Sequence, residues 1–364
     1  MEYRELGRTG KKVSLLSLGC MRLPEDDEEG ARVVRRAADL GINYFETSNW
    51  YCENRSEIKV RMGLEGIRDK VYISTKCKMS PGTTGDDVRR NAEQSLKQLG
   101  IDRVDFYQVW DFRWADYEAV MQKGGGLDTL EKLRDEGLIT HIGVTSHETN
   151  EHTIEMLDTG RFESVTVVYN LLNRDIVPVM EHAAERGIGV VIMNPLSGGL
   201  LAAPSDVLRN AVPGENPSNA AGALRFVMSH PLVTTVPSGM TSVAEVEENV
   251  RTWEEFKPLT PDEVRAASDS LAEFQALGKT FCTACGYCLP CPQGIRIPRL
   301  FGVRNHHVLF GLRDWAVERY KHIPAEVLPE NCNECGECET KCPNKIPIIA
   351  QLKEVAELFK GVRD

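Results

Sequence analysis

The stretch VYISTKCKMSPGTTGDDVRRNAEQSLKQLGIDRVDFYQVW, Val71 to Trp110, decides the fold. A β-rich run, Val71 to Lys76, is followed by an amphipathic stretch that stops at Gly100, and a second β-rich run occupies Val104 to Val109. That order describes a strand, a crossover helix and a second strand. Outward from this unit the pattern repeats. Before it lie LLSLGC (Leu15 to Cys20) and NYFETS (Asn43 to Ser48), with the helical stretch EEGARVVRRAADLG between them. After it come ITHIGVT (Ile139 to Thr145), SVTVVY (Ser164 to Tyr169), GVVIMN (Gly189 to Asn194) and VTTVPS (Val233 to Ser238). Eight strand–helix units predict an α/β fold, a (β/α)8 TIM barrel, whose active site sits at the C-terminal ends of its strands. The alternative, an open doubly wound sheet, calls for a glycine-rich phosphate turn after the first strand, which this chain lacks.

Strand ends are therefore the places to look for chemistry. Glu46 ends the second run, Tyr51 follows in its loop and Lys76 ends the third. A buried ammonium beside a phenol favours phenolate and makes tyrosine a usable proton donor, while a carboxylate keeps the lysine charged. A structural ion pair with an unrelated tyrosine is the other reading of the same spacing. Bulk composition bounds the function. With 41% hydrophobic and 27% charged residues the chain is an ordinary globular protein. A net charge of −11 argues against non-specific binding to nucleic acid or an anionic membrane. No apolar run reaches the roughly 20 residues of a membrane helix, and the N-terminal residues carry no export signal, so a cytoplasmic location is expected.

Eight of the eleven cysteines fall in the last quarter of the chain. This predicts a domain boundary, with a barrel over 1–278 and a second domain over 279–364. An odd cysteine total without an export signal points to metal or redox chemistry rather than disulfides. Cys332, Cys335, Cys338 and Cys342 follow the C-x2-C-x2-C-x3-C-P spacing, in which three thiolates wrap one iron–sulfur cubane and the fourth reaches another. Cys282, Cys285, Cys288 and Cys291 are a near variant. The crossed logic pairs Cys282, Cys285 and Cys288 with Cys342, and Cys332, Cys335 and Cys338 with Cys291. Zinc is the competing reading, but it usually closes on two pairs of ligands, and each half here already supplies four cysteines. The pattern resembles a bacterial ferredoxin module with two [4Fe-4S] clusters, a small ferredoxin-like α+β domain. The insert PRLFGVRNHHVLFGLRDWAVERYKH is expected to add one or two helices that dock on the barrel. Cys20, Cys52 and Cys77 all fall near strand ends, as small buried hydrophobes or as a redox-active thiol cluster.

The segments YRELGRTGKKVSLLSLGCMRLP, INYFETSNWYCENRSE, VYISTK, VDFYQV, HIGVTS, YNLLNR and PSGMTSVAEVEEN, in this order, resemble the aldo-keto reductase superfamily over nearly the first 260 residues. The resemblance implies a nicotinamide-dependent barrel with an N-terminal β-hairpin over residues 3 to 14. It puts Tyr51 in the place of the proton-donating tyrosine and Lys76 in that of the assisting lysine. Two places depart from the family. Glu46 stands for an aspartate, and Trp110 for a histidine; indole has a donor but no acceptor, so it can polarise a carbonyl but not relay a proton. The cofactor contacts implied are Thr145, Ser146, Thr166, Met193, Gly239, Glu245, Glu248 and Asn249. Of NAD(H) and NADP(H), the first is expected, because Glu245 stands where a basic residue would clamp a 2′-phosphate.

The expected function is an iron–sulfur oxidoreductase that reduces a carbonyl or oxidises an alcohol of a small molecule. The alternative is an electron-transfer or redox-sensing protein whose barrel has lost ordinary reductase chemistry, with Trp110, Met193 and Thr166 as its signs. Nicotinamide exchanges two electrons and a cubane one, so a flavin stays open as an intermediary, and an electron-transfer protein as a partner.

Overall fold

The computed structural model describes residues 1–254, 256–270, 272, 281–282 and 285–362, without the side chains of residues 118, 119 and 254. Its described residues form two compact units, one of 1–169, 175–195 and 227–258 and the other of 170–174, 196–226 and 259–362. The boundary expected after residue 278 lies outside the described residues.

The first unit opens with an antiparallel hairpin, β1 (Tyr3–Glu5) and β2 (Lys12–Ser14), with Tyr3 opposite Ser14. Eight parallel strands follow: β3 (Leu16–Gly19), β4 (Tyr44–Glu46), β5 (Tyr72–Lys78), β6 (Val104–Phe112), β7 (Ile139–Ser146), β8 (Ser164–Val168), β9 (Gly189–Met193) and β10 (Val236–Gly239). Each pairs with the next in chain order, and β10 pairs with β3. The last seam, β9 to β10, is a bridge at Val191 and Thr235, with Ile192 N–H donating to the Thr235 carbonyl at 2.9 Å. All eight predicted strands are present.

The helix Gly85–Leu99 shows how local sequence sets the crossovers. Thr84 and Asp87 form a capping box at its start, and Gly100 ends it in a left-handed conformation. The hairpin closes the barrel floor. Leu6, Val13, Tyr44, Phe106 and Val191 pack there without exposure. Gly7 sits at φ +53°, and a Cβ on it would lie 2.4 Å from the Gly187 oxygen, so the hairpin seats this closely only with glycine.

β6 runs three residues past the expected Val109. The β6–β7 register shifts between Val109 and Phe112, so Trp110 and Asp111 form a bulge before pairing resumes at Phe112 and Ser146. Asp111 takes φ +50° there.

In the second unit the helices Ile297–Phe310, Arg313–Lys321, Glu337–Lys341 and Ile348–Leu358 enclose a core that includes Leu300, Phe301, Tyr320, Ile323, Leu352 and Phe359. The insert therefore makes two helices. Among the described residues of this unit there is no strand, so the strands expected of a ferredoxin-like α+β domain are replaced by helices and turns. The physical reason is the short spacing: closely spaced cysteines with Gly286, Pro290, Pro292 and Gly294 leave no alternating run long enough to pair.

Candidate active site and cysteine cavity

Glu46 and Lys76 end up side by side because β4 and β5 are neighbours, Glu46 lying opposite Ser74. Their side chains form an ion pair, with Lys76 3% and Glu46 8% exposed. Burial pushes the Lys76 ammonium down to about 7, with the Cys20 sulfur opposing, and the adjoining carboxylate favours the charged form. Tyr51 reaches the same place from the β4 loop: the Lys76 Nζ lies 4.6 Å from the centre of its ring. Cys52, Glu53 and Asn54, directly after it, all take positive φ, from 51° to 65°. Three strained residues in succession indicate that this turn is imposed by what it positions.

The bulge on β6 presents Trp110. Its ring meets Tyr51 edge-on at 6.1 Å and Trp50 at 6.2 Å. Glu46, Lys76, Tyr51 and Trp110 are thus brought together. Asp111 is 2% exposed and held on three sides: its N–H donates to Thr145 Oγ1 at 2.7 Å, and its carboxylate faces Arg113 at 3.0 Å and Lys78 at 3.7 Å.

The expected cofactor residues fare differently. Thr145 Oγ1 accepts that bond and keeps its own O–H to donate, and Ser146 Oγ shares a hydrogen bond with Thr153 at 2.8 Å. Thr166 lies inside the barrel and donates to Gln108 Oε1 at 2.8 Å, while Gln108 in turn donates to Ser74. Met193 is half-buried at the end of β9. Gly239 ends β10 beside Gly19, and a Cβ on it would lie 3.3 Å from Arg22. Glu245 accepts from the Thr241 N–H at 2.7 Å, which ties it to the start of helix Val243–Glu254. Glu248 is half-buried and Asn249 buried on that helix.

Two residues of this mouth escaped the sequence reading. His147 directly follows β7; burial pushes its imidazole down to about 4, opposed by the Asp111 carboxylate. A histidine at the C-terminal end of a barrel strand was the available signal. Ser238, on β10, has a fully buried hydroxyl with no hydrogen-bond partner among the described residues. The three early thiols are all pushed up by burial, Cys77 to about 12. Cys52 donates weakly to the carbonyls of Cys20, Met21 and Leu23 at 3.5 to 3.7 Å. Raised in this way, the three thiols favour their protonated form.

In the second unit one cavity is lined by Cys291, Cys332, Cys335 and Cys338, with Ile295, Ile297, Ile349 and Leu352 behind them. Cys288, Cys338 and Cys342 belong to the apolar core, and none of the eight cysteines is in a disulfide. Burial pushes Cys288 up to about 12, with Cys285 and then Cys342 adding to the rise. Among the described residues no three His, Cys, Asp or Glu converge closely enough for a single ion. His306 packs against Trp315 at 4.1 Å and His307 lies 6.3 Å from Phe359, as packing residues do.

Known proteins resemble about three quarters of the chain. The chain is 28% identical to L-galactose dehydrogenase of Arabidopsis thaliana, over 76% of this chain and 94% of that protein. It is 24% identical to the uncharacterized oxidoreductase YqkF of Bacillus subtilis, over 73% and 95%. Among solved structures, aldo-keto reductase AKR11C1 from Bacillus halodurans in its holo form superposes with a TM-score of 0.66 at 26% identity, over 74% of this chain and 96% of that one. No helix among the described residues is long and apolar enough to cross a membrane. The aldo/keto reductase family model matches residues 15–272 and that of a 4Fe-4S dicluster domain residues 281–347, so this chain is an oxidoreductase that belongs to the aldo/keto reductase family, its barrel followed by an iron–sulfur domain.

Proposed function

We propose that this protein interconverts a carbonyl and an alcohol on a small molecule with a nicotinamide cofactor, Tyr51 holding the proton that is exchanged. The buried Lys76, ion-paired to Glu46 and 4.6 Å from the Tyr51 ring, carries this reading. When bound, the nicotinamide supplies or takes the hydride and the clusters carry single electrons. Reduction of a carbonyl also needs a proton at its oxygen. Tyr51 Oη donates it, and the Lys76 charge eases its release by stabilising phenolate. Glu46 favours the charged form of Lys76 against its burial. Trp110 braces Tyr51 from the side and offers one N–H to the carbonyl oxygen. His147, neutral at pH 7, adds an acceptor that indole lacks.

The mouth has groups suited to a dinucleotide: the orphaned Ser238 hydroxyl, Asn249, and Arg22 beside Gly239. The Glu245 carboxylate favours NADH by repelling a 2′-phosphate, so Glu245→Gln should raise affinity for NADPH relative to NADH, by about tenfold or less. An unchanged ratio would remove the preference. The four free thiols around one cavity fit a group that takes four thiolates. We assign Cys332, Cys335, Cys338 and Cys291 to one [4Fe-4S] cluster, and Cys282, Cys285, Cys288 and Cys342 to the other. The cysteine usage favours a reducing compartment such as the cytoplasm.

The decisive test is Tyr51→Phe in the anaerobic, iron-loaded protein. Turnover of carbonyl substrates should fall by about 10² to 10⁴ with nicotinamide binding kept. Turnover retained by the variant rejects the assignment. The second reading, a barrel that only relays electrons, draws on Thr166, whose hydroxyl is committed inside the barrel; reduction of the clusters by NADH without turnover of any carbonyl would favour it.

A further inference from the structure

The helix Ile297–Phe310 has two faces with different tasks. One carries Leu300, Phe301 and Asn305 into the cysteine core, where Asn305 donates to the Cys282 carbonyl at 3.0 Å. The other carries Arg299, Gly302 and His306, with Val303 shared between core and cavity. Together with Trp315, Arg319 and His322 they line an open cavity of about 300 Å³. That is the size of a site for a small organic molecule.

Three observations define what fits. The first is charge. Arg299 donates to the His322 carbonyl at 3.2 Å, and the Arg319 guanidinium lies 3.4 Å over the Trp315 ring. Among the described residues neither arginine pairs with a carboxylate, and none lines the cavity. The chain carries 54 acidic residues, and on the opposite face of the same helix Arg304 is paired with Glu354 at 2.6 Å. Glu318, the acidic residue beside Arg319 in sequence, faces His322 at 3.3 Å. Two neighbouring guanidinium groups without a counter-charge suit an anion, and their planar forks suit a carboxylate.

The second observation is shape. The Trp315 ring, the Arg319 guanidinium over it and the His306 ring 4.1 Å away at a 43° tilt supply flat faces. Such faces favour a planar body over a compact ion. The third is Gly302. A glycine within a helix is destabilising, yet a Cβ here would meet nothing within 4 Å. No packed neighbour demands glycine, unlike Gly63, whose Cβ would lie 2.6 Å from Val34. What its absent side chain does is leave the cavity open.

The geometry points to a binding site for a small planar organic carboxylate, its acid group on Arg299 and Arg319 and its body against Trp315 and over Gly302. The site is built from residues 299–322 alone and does not depend on the reaction proposed for the barrel.

Fluorine NMR of 4-fluorobenzoate titrated into the anaerobic, iron-loaded full chain tests it, beside 4-fluorobenzyl alcohol and inorganic phosphate. The expected result is saturable binding at one site, weakened about tenfold or more by Arg319→Gln and by Gly302→Leu at unchanged iron content. The alcohol should bind about tenfold more weakly or worse, since it lacks the charge-assisted contact, and phosphate at equal concentration should not displace the probe. Four outcomes overturn the inference: no saturable binding, equal binding of the alcohol, displacement by phosphate, or binding that both variants leave untouched. The last would put the probe in another site, the barrel mouth included.

Discussion

The barrel draws its candidate site from residues scattered along the chain, Glu46, Tyr51, Lys76, Trp110 and His147, each within a few residues of the C-terminal end of a strand. The cysteine-rich unit instead uses two short runs, 282–291 and 332–342, with neighbouring cysteines three or four residues apart. In the first case backbone ladders hold the geometry whether or not anything is bound. In the second, Cys288, Cys338 and Cys342 are themselves part of the apolar core, beside Leu300, Phe301 and Leu352. The contrast teaches where each unit's stability comes from. The barrel is a scaffold that carries chemistry, whereas the cysteine unit needs its metal as part of its interior.

Removing iron should therefore have the largest effect, and a local one. After anaerobic chelation, amide exchange should lose its protection over residues 285–362, while β3 to β9 keep theirs. Protection retained in the cysteine unit would break the comparison. Next comes the buried pair. Lys76→Met leaves Glu46 buried without its partner and should cost the barrel about 3 to 5 kcal/mol in urea unfolding. The double variant Lys76→Met with Glu46→Gln should recover part of that loss. Equal losses in both would show that packing, not charge, matters at this position.

The smallest effect is a pH dependence. His147 has its pKa held near 4 in the folded barrel, below its usual value of 6.5. Between those values the unfolded chain binds the proton and the folded one does not. Stability of the barrel should thus fall as pH drops from about 6.5 towards 4. His147→Asn should flatten that part of the unfolding profile, and a profile unchanged by the substitution would show that the imidazole titrates freely.

Much of this was legible in the sequence, and the comparison explains which part. The cysteine runs could be read directly because their spacing is local, and the cavity lined by Cys291, Cys332, Cys335 and Cys338 joins residues from both runs. The eight strands were legible because burial on both faces leaves short apolar runs. What apolar patterning cannot report is the fate of a single hydroxyl. Thr166 and Thr145 stand in the places of cofactor contacts, and the structure adds that one bonds Gln108 and the other holds Asp111. Nor does patterning show a bulge, which adds one residue and turns Trp110 towards Tyr51. Sequence reading placed the last strand from Val233, but Thr234 and Thr235 are taken up by bonds to β9 and the strand proper starts at Val236.

The cavity that joins Cys291 to Cys332, Cys335 and Cys338 also has a consequence in time. A ribosome delivers residue 291 well before 332, and residue 342 after both. No four-cysteine lining of this cavity exists on a nascent chain that stops short of residue 338. The barrel strands are complete by Gly239 and can pair while the remainder is still being made. Synthesis thus separates two maturation events: a scaffold that assembles early from its own hydrogen bonds, and a metal-dependent unit that must wait, thiols exposed to oxidation, until the second cysteine run has been made.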